Sequence, residues 1–275
     1  MDLIVQLGDF KYIRGKIFKY QNVMKKIVAI LMLIAMLLAG STTLEAKKTT
    51  KKSTKKSTTS ATLPINKGEM KQYGDYLSTQ KFTIKKGKDN ELTLEYPIDG
   101  KPELVDSIRS YIKNSLNPKF AGSLDTPEAL MRSVMKTKKD LKYGGDGESL
   151  KAVIKVIYHS SNIVTYDNNG YEYFGGAHGT GWEIGTTFLV EDGSIFNEGM
   201  FTSIDATIPY IMDGFEDLDA LYDPNEPVTY LGNVSITDEG IIVLYQFFYD
   251  DIVKSVLNKN DVYNLLTPKG KKFLK

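Results

Sequence analysis

The alternation of apolar and polar residues divides the folded part of the chain into a helix-containing first half and a strand-rich second half. Residues 82–84 and 92–96 alternate as half-buried strands do. A helix is predicted over 102–116 and a second over 127–141, each with a proline in its first turn. Apolar residues at helical spacing predict one buried face on the first helix: Leu104, Ile108, Tyr111, Ile112 and Leu116.

After residue 149 the period changes to that of strands. Strands are predicted over 150–159, 162–166, 171–174, 182–190, 230–237 and 241–248, with turns at 167–170, 191–193 and 238–240. A short helix is predicted over 208–218 and a terminal helix near Asp261. Helices followed by strands favour an α+β fold, with a mixed or antiparallel sheet and helices packed on one face.

The N-terminus has the pattern of a secretory signal. Met24-Lys25-Lys26 precedes an uninterrupted apolar run of 13 residues over 27–39, and a small residue, Ala46, follows. This run is shorter than the roughly 20 apolar residues that a membrane-spanning helix needs. We therefore expect a signal peptide over 1–46 with Met24 as the true start. A retained signal-anchor is the alternative, and it would be the only contact with a membrane.

Residues 47–62 form a predicted linker, in which six lysines alternate with threonine and serine. With almost no apolar residues, this composition predicts a solvated tether that precedes a folded region over 63–275. The change of pattern inside that region allows two subdomains that meet near 175–181. Together these segments predict an extracytoplasmic protein: periplasmic, secreted or on the cell surface.

Composition and charge restrict the chemistry. The chain has no cysteine and two histidines, which excludes disulfides, thiol nucleophiles and His-rich metal cages. The net charge is +1, yet residues 156–253 contain 17 acidic residues and neither Lys nor Arg. Such an acidic segment either binds a basic partner or only increases solubility. We do not expect the protein to bind nucleic acid. The densest acidic stretch, 213–226, lacks the glycine and glutamate spacing of an EF-hand, so we expect no metal.

No catalytic motif is present, and no catalytic residue or cofactor is assigned. The glycine-rich segment 175–181 matches neither a phosphate-binding loop nor a dinucleotide fingerprint. Its His178 is a general base without an assignable nucleophile, or a residue with a structural hydrogen bond. A glycoside hydrolase with two catalytic carboxylates is an alternative, but nothing in the sequence selects one pair of acidic residues over another.

Tyrosines cluster around this glycine-rich segment. Tyr171 and Tyr173 share one face of their predicted strand, which suits either a binding surface or core packing. We take the candidate binding residues to be Tyr171, Tyr173, Gly175, Gly176, His178 and Gly179.

Residues 171–179, with the sequence YEYFGGAHG, resemble the Y-x-Y-x-G-G-A-H-G signature of a bacterial extracytoplasmic family of unknown function. That family includes the sensing domain of the anti-sigma factor RsiV and a domain that precedes some peptidoglycan deacetylase modules. The similarity covers about residues 75–275, and it departs from the family at 250–254, where DDIVK replaces an apolar stretch. We also expect no cytoplasmic sigma-binding segment, because residues 1–23 are short and carry no recognisable pattern.

The resemblance implies a mixed sheet with helices on one face and a binding role without catalysis. In RsiV the ligand is lysozyme, a basic protein, and complementary charge on the acidic segment would speed such an encounter. We therefore expect a binding module for a basic protein or a cell-wall glycan. A hydrolase acting on envelope polysaccharide and a membrane-anchored signalling ectodomain are the alternatives.

Overall fold

The computed structural model describes residues 63–137, 149–173, 177–215, 228–246 and 252–275. The predicted signal and linker, and parts of several predicted elements, lie outside these ranges. The strands are β1 Ile65–Tyr73, β2 Leu77–Lys86, β3 Asn90–Gly100, β4 Ser149–His159, β5 Ile163–Tyr173, β6 Thr180–Leu189, β7 Asn233–Ile236, β8 Ile241–Gln246 and β9 Ile252–Leu257. The helices are α1 Pro102–Leu116, α2 Glu128–Thr137, α3 Ile204–Asp213 and α4 Lys259–Val262.

The first sheet has six strands in the order of the chain, β1 to β6. Every neighbouring pair is antiparallel except β3 and β4, which run parallel. A parallel pair needs a long crossover connection, and the segment containing α1 and α2 makes it. Both helices therefore pack on one face of this sheet, as the α+β prediction requires.

A hydrophobic core lies between these helices and the first sheet. Proline occupies the first turn of α1, where its missing N–H costs nothing, and the helix ends before Asn117-Pro118. Leu104, Ile108 and Ile112 are fully buried, as predicted. Burying each such side chain contributes about 1.5–3 kcal/mol.

The second sheet contains β7, β8 and β9, all antiparallel, and encloses a second hydrophobic core with α3 and the C-terminal turns. It packs against the β5–β6 side of the first sheet. Between the sheets, Thr165 donates to the carbonyl of Ile236, and the Ile236 amide donates to Thr187, at 2.6 and 2.7 Å. Strands β5 and β6 contribute side chains to both cores, Tyr166 and Phe188 to the first and Ile163 and Leu189 to the second.

The predicted turn at 167–170 is wrong, because β5 continues through it to Tyr173. Cross-strand contacts explain the continuity. Gly170 pairs with Trp182, and the Trp182 Nε1 donates to the Asn168 side-chain oxygen at 3.0 Å. Asn169 donates to the Asp167 carboxylate. These residue types usually favour turns, but here their side chains bond within β5 and to β6, which local propensity does not reveal.

Other boundaries also differ. Helix α3 begins at Ile204, four residues before the predicted start, because Ser203 caps it by accepting from the Ala206 amide. The terminal helix near Asp261 is present but forms only one turn. Strands β1 and β9 were not predicted. The hydrophobic alternation of β9 is visible in IVKSVL, whereas β1 is almost entirely exposed and has no apolar pattern.

Candidate functional site

The predicted binding residues lie at the end of the β5–β6 hairpin. Tyr171 is 41% exposed, and a side chain at Gly179 would overlap its hydroxyl group. The structure therefore brings Tyr171 and Gly179 into direct contact, and a side chain at position 179 would displace the tyrosine ring. Gly175 and Gly176 lie outside the described residues.

Tyr173 and His178 complete this hairpin end. Tyr173 is half-buried and lies on the same strand face as Tyr171, since the two are separated by one residue of β5. His178 is exposed. The other histidine, His159, has a structural environment: its ring packs edge-on against Tyr73, and its Nδ1 lies 3.3 Å from the Tyr76 hydroxyl.

The acidic segment is partly neutralised by lysines from the C-terminal part of the chain. Lys272 binds Glu191 at 2.8 Å, and Lys254 binds Glu239 at 2.8 Å. Lys269 lies 3.9 Å from Asp192. The sequence count of charge over 156–253 therefore overstates the negative charge of the folded surface.

One exposed surface keeps its negative charge. Asp205, Tyr210 and Asp213 lie on the exposed side of α3, and we call this surface the acidic helix face. Neither aspartate has a Lys or Arg within 4.0 Å among the described residues. The exposed Glu198 belongs to the 3₁₀ turn just before this helix. The densest acidic stretch of the sequence follows Asp213 directly, mostly outside the described residues.

A second charged site lies on the first sheet, on the face opposite to α1 and α2. Its centre is Glu95 on β3, which is only 6% exposed. The Glu95 Oε1 accepts from the Tyr73 and Thr79 hydroxyls, the latter at 2.9 Å, and Oε2 lies 3.6 Å from the Lys71 Nζ. Burial, followed by the hydrogen bond to Glu95, raises the pKa of Tyr73 well above its usual range, so the phenol keeps its proton and donates.

A cavity of about 120 Å³ opens beside Glu95. We call it the lysine cleft, because its walls include Lys71, Lys81 and Lys155, together with Glu69 and Glu95. Thr93 and Val153 complete the lining. Three lysines and two glutamates thus line a space that fits one polar group of a larger ligand.

The sequence analysis did not find this cleft, although a signal exists. Lys81 and Lys85 on β2, Glu91 and Glu95 on β3, and Lys151 and Lys155 on β4 are each four residues apart. An even spacing in a strand places both members on one face. Each strand was predicted at least in part, but their pairing was not, so these charges could not be placed side by side.

The described residues show neither a metal-binding cluster nor a membrane-spanning helix. They contain no group of three His, Asp or Glu arranged to hold a metal ion. None of their helices has the length and apolar character required to cross a membrane.

Comparison with known proteins supports the fold class. No protein-family model matches the chain, and no curated protein matches it in sequence. Among solved structures, a member of the DUF3298 family from Bacteroides fragilis is similar, with a TM-score of 0.50 and 15% sequence identity. That match covers 78% of this chain and 98% of the other.

A DUF3298 family protein from Pseudomonas aeruginosa aligns with a TM-score of 0.49 and 11% identity, over 76% of this chain and 96% of the other. At the identity of the B. fragilis match, the similarity shows the fold and not the activity. The chain is thus an α+β domain similar in fold to a DUF3298 protein. DUF denotes a domain of unknown function.

Proposed function

We propose that the protein is an extracytoplasmic binding module without catalytic activity, and that it captures a basic protein through the acidic helix face. The observation that carries the proposal is the pair of exposed carboxylates on α3, which no described cation neutralises, beside a tyrosine that is 41% exposed. Tyrosine is enriched at energetically important interface positions, and complementary charge accelerates association.

The predicted signal peptide, the lysine-rich linker and the resemblance of residues 171–179 to the RsiV-type signature support this role. They favour a position outside the cytoplasm, where lysozyme is a basic protein that such a module would meet. The Tyr171 hairpin end offers a further exposed aromatic contact for the same partner or for a cell-wall glycan.

The test is a calorimetric titration of the purified full chain with a basic lysozyme, at low and then at high salt. We expect saturable binding that weakens with salt, because exposed charges are screened within a Debye length of about 10 Å at 0.1 M. Asp205→Asn combined with Asp213→Asn should weaken binding several-fold. The matched control is Glu239→Gln, since Lys254 already neutralises that carboxylate. Absence of binding at both salt concentrations would remove lysozyme as the ligand.

A second candidate function is a carboxylate-dependent hydrolase of envelope polysaccharide. It is favoured by one observation: Glu69 and Glu95 line the same cavity, and Lys71 lies within 4.0 Å of both. However, both oxygens of Glu95 already contact protein groups, and the cavity is smaller than the ~300–1,000 Å³ of typical ligand sites. Release of reducing ends from cell-wall polysaccharide, abolished by Glu69→Gln and by Glu95→Gln, would favour the hydrolase over the binding module.

A further inference from the structure

The strands β2, β3 and β4 carry two parallel rows of charge on the open face of the first sheet. The outer row consists of Lys85, Glu91 and Lys151, which are partners in the sheet register. The inner row consists of Lys81, its partner Glu95, and Lys155, which follows the Leu94–Ile154 pair. The two rows have the same composition, Lys-Glu-Lys, and are separated by one row of uncharged residues.

The two rows nevertheless differ in which side chains bind their glutamate. In the outer row Glu91 binds Lys85 at 2.9 Å. In the inner row the Glu95 carboxylate is held by Tyr73, Thr79 and Lys71 instead. Among the described residues, neither Lys81 nor Lys155 has a carboxylate within 4.0 Å. Lys155 is in register with Asp167 of β5, which attracts it from beyond 4.0 Å. The inner row therefore presents two ammonium groups that have no carboxylate in direct contact.

The position of the cleft keeps these ammonium groups together. Lys81 and Lys155 belong to the two strands that flank β3, so roughly 10 Å separates their backbones. Between them lies Glu95, and the neighbouring row on the same face holds Thr93, whose hydroxyl is 3.1 Å from that of Thr83. The Lys81 side chain also lies along Gly68 of β1, where a Cβ would come within 3.3 Å of it. Glycine at this irregular point of β1 thus leaves room for the lysine stem.

We propose that the lysine cleft binds the carboxylate group of a small acidic ligand, through Lys81 and Lys155, with neighbouring hydroxyl or ammonium groups of that ligand donating to Glu69. A singly charged carboxylate fits better than a phosphate dianion, because Glu69 and Glu95 line the same space and repel additional negative charge. The cavity of about 120 Å³ accepts this one group and not a complete sugar ring. Acid sugars and free amino acids both provide the required chemistry.

This site is independent of the proposed capture of a basic protein. It attracts anions rather than cations, and it lies on strands β1 to β4, whereas the acidic helix face belongs to α3. Failure of either proposal therefore leaves the other in place.

The experiment titrates the full chain at low salt with four probes: trigalacturonate, its methyl ester, alanine and inorganic phosphate. The ester keeps the rings and hydroxyls but removes the negative charge. We expect binding of trigalacturonate or of alanine, which distinguishes an acid sugar from an amino acid, and no binding of the ester. Lys81→Gln and Lys155→Gln should each weaken binding about tenfold, the effect of losing one charge-assisted hydrogen bond.

The matched controls are Lys85→Gln and Lys151→Gln, each four residues away on the same strand and the same face. They should change affinity less than twofold. Melting temperatures of all four variants should stay near that of the original chain, since these lysines are at the surface. Equal losses in the control variants would mean non-specific attraction and overturn the proposal. Tighter binding of phosphate than of either carboxylate probe, equal binding of the ester, or no binding of any probe would also overturn it.

Discussion

At the scale of single residues, two carboxyl groups among the described residues have surroundings that disfavour negative charge. Asp167 on β5 is 7% exposed, and burial is the main cause that raises its pKa above the ordinary value. Glu183 on β6 also has a raised pKa, because of burial and then the nearby Asp167. The Asn169 hydrogen bond and Lys155 oppose the shift at Asp167 but do not cancel it.

Asp167→Asn is therefore expected to raise the free energy of unfolding at neutral pH. A carboxyl whose pKa is higher in the folded protein binds its proton more tightly there, so stability falls as pH rises from the ordinary value of about 3.9 through the raised one. The advantage of the variant should disappear once the pH is below about 3.9. Urea denaturation between pH 3 and pH 8 measures this.

The exposed Asp106 of α1 provides the control for that series, because Asp106→Asn removes a carboxylate that is not buried and lies beyond the first turn of its helix. A variant Asp167→Asn that is less stable than the original chain at pH 7 would contradict the expectation. Such a result would mean that Lys155 stabilises the charged form more than burial destabilises it.

At the scale of elements, the length of β5 depends on contacts that lie outside the local sequence. Gly170 has no room for a side chain: a Cβ would lie 2.5 Å from the Lys151 carbonyl oxygen and 2.5 Å from the Trp182 ring. The tryptophan ring thus occupies the space that a side chain on its cross-strand partner would take. This contact aligns β4, β5 and β6 next to the candidate hairpin residues.

Gly170→Ala should consequently destabilise the protein by about 1–3 kcal/mol, the usual cost of inserting a methyl group into a packed site. Because Trp182 is the only tryptophan, its fluorescence should report the displacement directly. Gly68→Ala serves as the control, since a Cβ there would come no closer than 3.3 Å to its nearest neighbour, the Lys81 Cβ, and should cost less. Equal stability of the two variants would show that the Trp182 ring moves aside without cost.

Helical periodicity was the most informative sequence signal for elements. It predicted the bounds of α1 and the face that is buried. Both follow from the apolar spacing and the proline in the first turn, so the rest of the fold need not be known. Residues 167–170 were predicted to form a turn, but they continue β5 because their backbone pairs with β4 on one side and β6 on the other. Strand β1 was missed for a related reason: nine mostly exposed residues form a strand only because β2 pairs with them.

The same limit applies to the functional sites. The sequence analysis singled out Tyr171, Gly179 and their neighbours, and two of these residues are in contact. It could not find the lysine cleft, because Lys71, Lys81, Glu95 and Lys155 come from four strands. Their convergence depends on the parallel β3–β4 pair, which sequence spacing does not specify.

At the scale of the whole molecule, the two sheets are joined by a closed ring of hydrogen bonds. The Ile236 amide donates to Thr187 at 2.7 Å, Thr187 and Thr165 share a hydrogen bond at 2.8 Å, and Thr165 donates to the Ile236 carbonyl at 2.6 Å. All three residues are fully buried. Since β5 and β6 also contribute to both hydrophobic cores, we expect the two cores to unfold together.

Thr187→Val tests this coupling. Valine keeps the shape of threonine but leaves the buried Ile236 amide without its acceptor, which should cost about 1–3 kcal/mol. Two probes follow unfolding: Trp182 fluorescence for the first core, and amide hydrogen exchange of β8 for the second. Both should report the same loss of stability. The control Thr83→Val removes a hydroxyl that bonds only the half-buried Thr93, and it should cost about 0.5 kcal/mol or less. Faster exchange in β8 with an unchanged fluorescence transition would mean that the second sheet opens independently of the first.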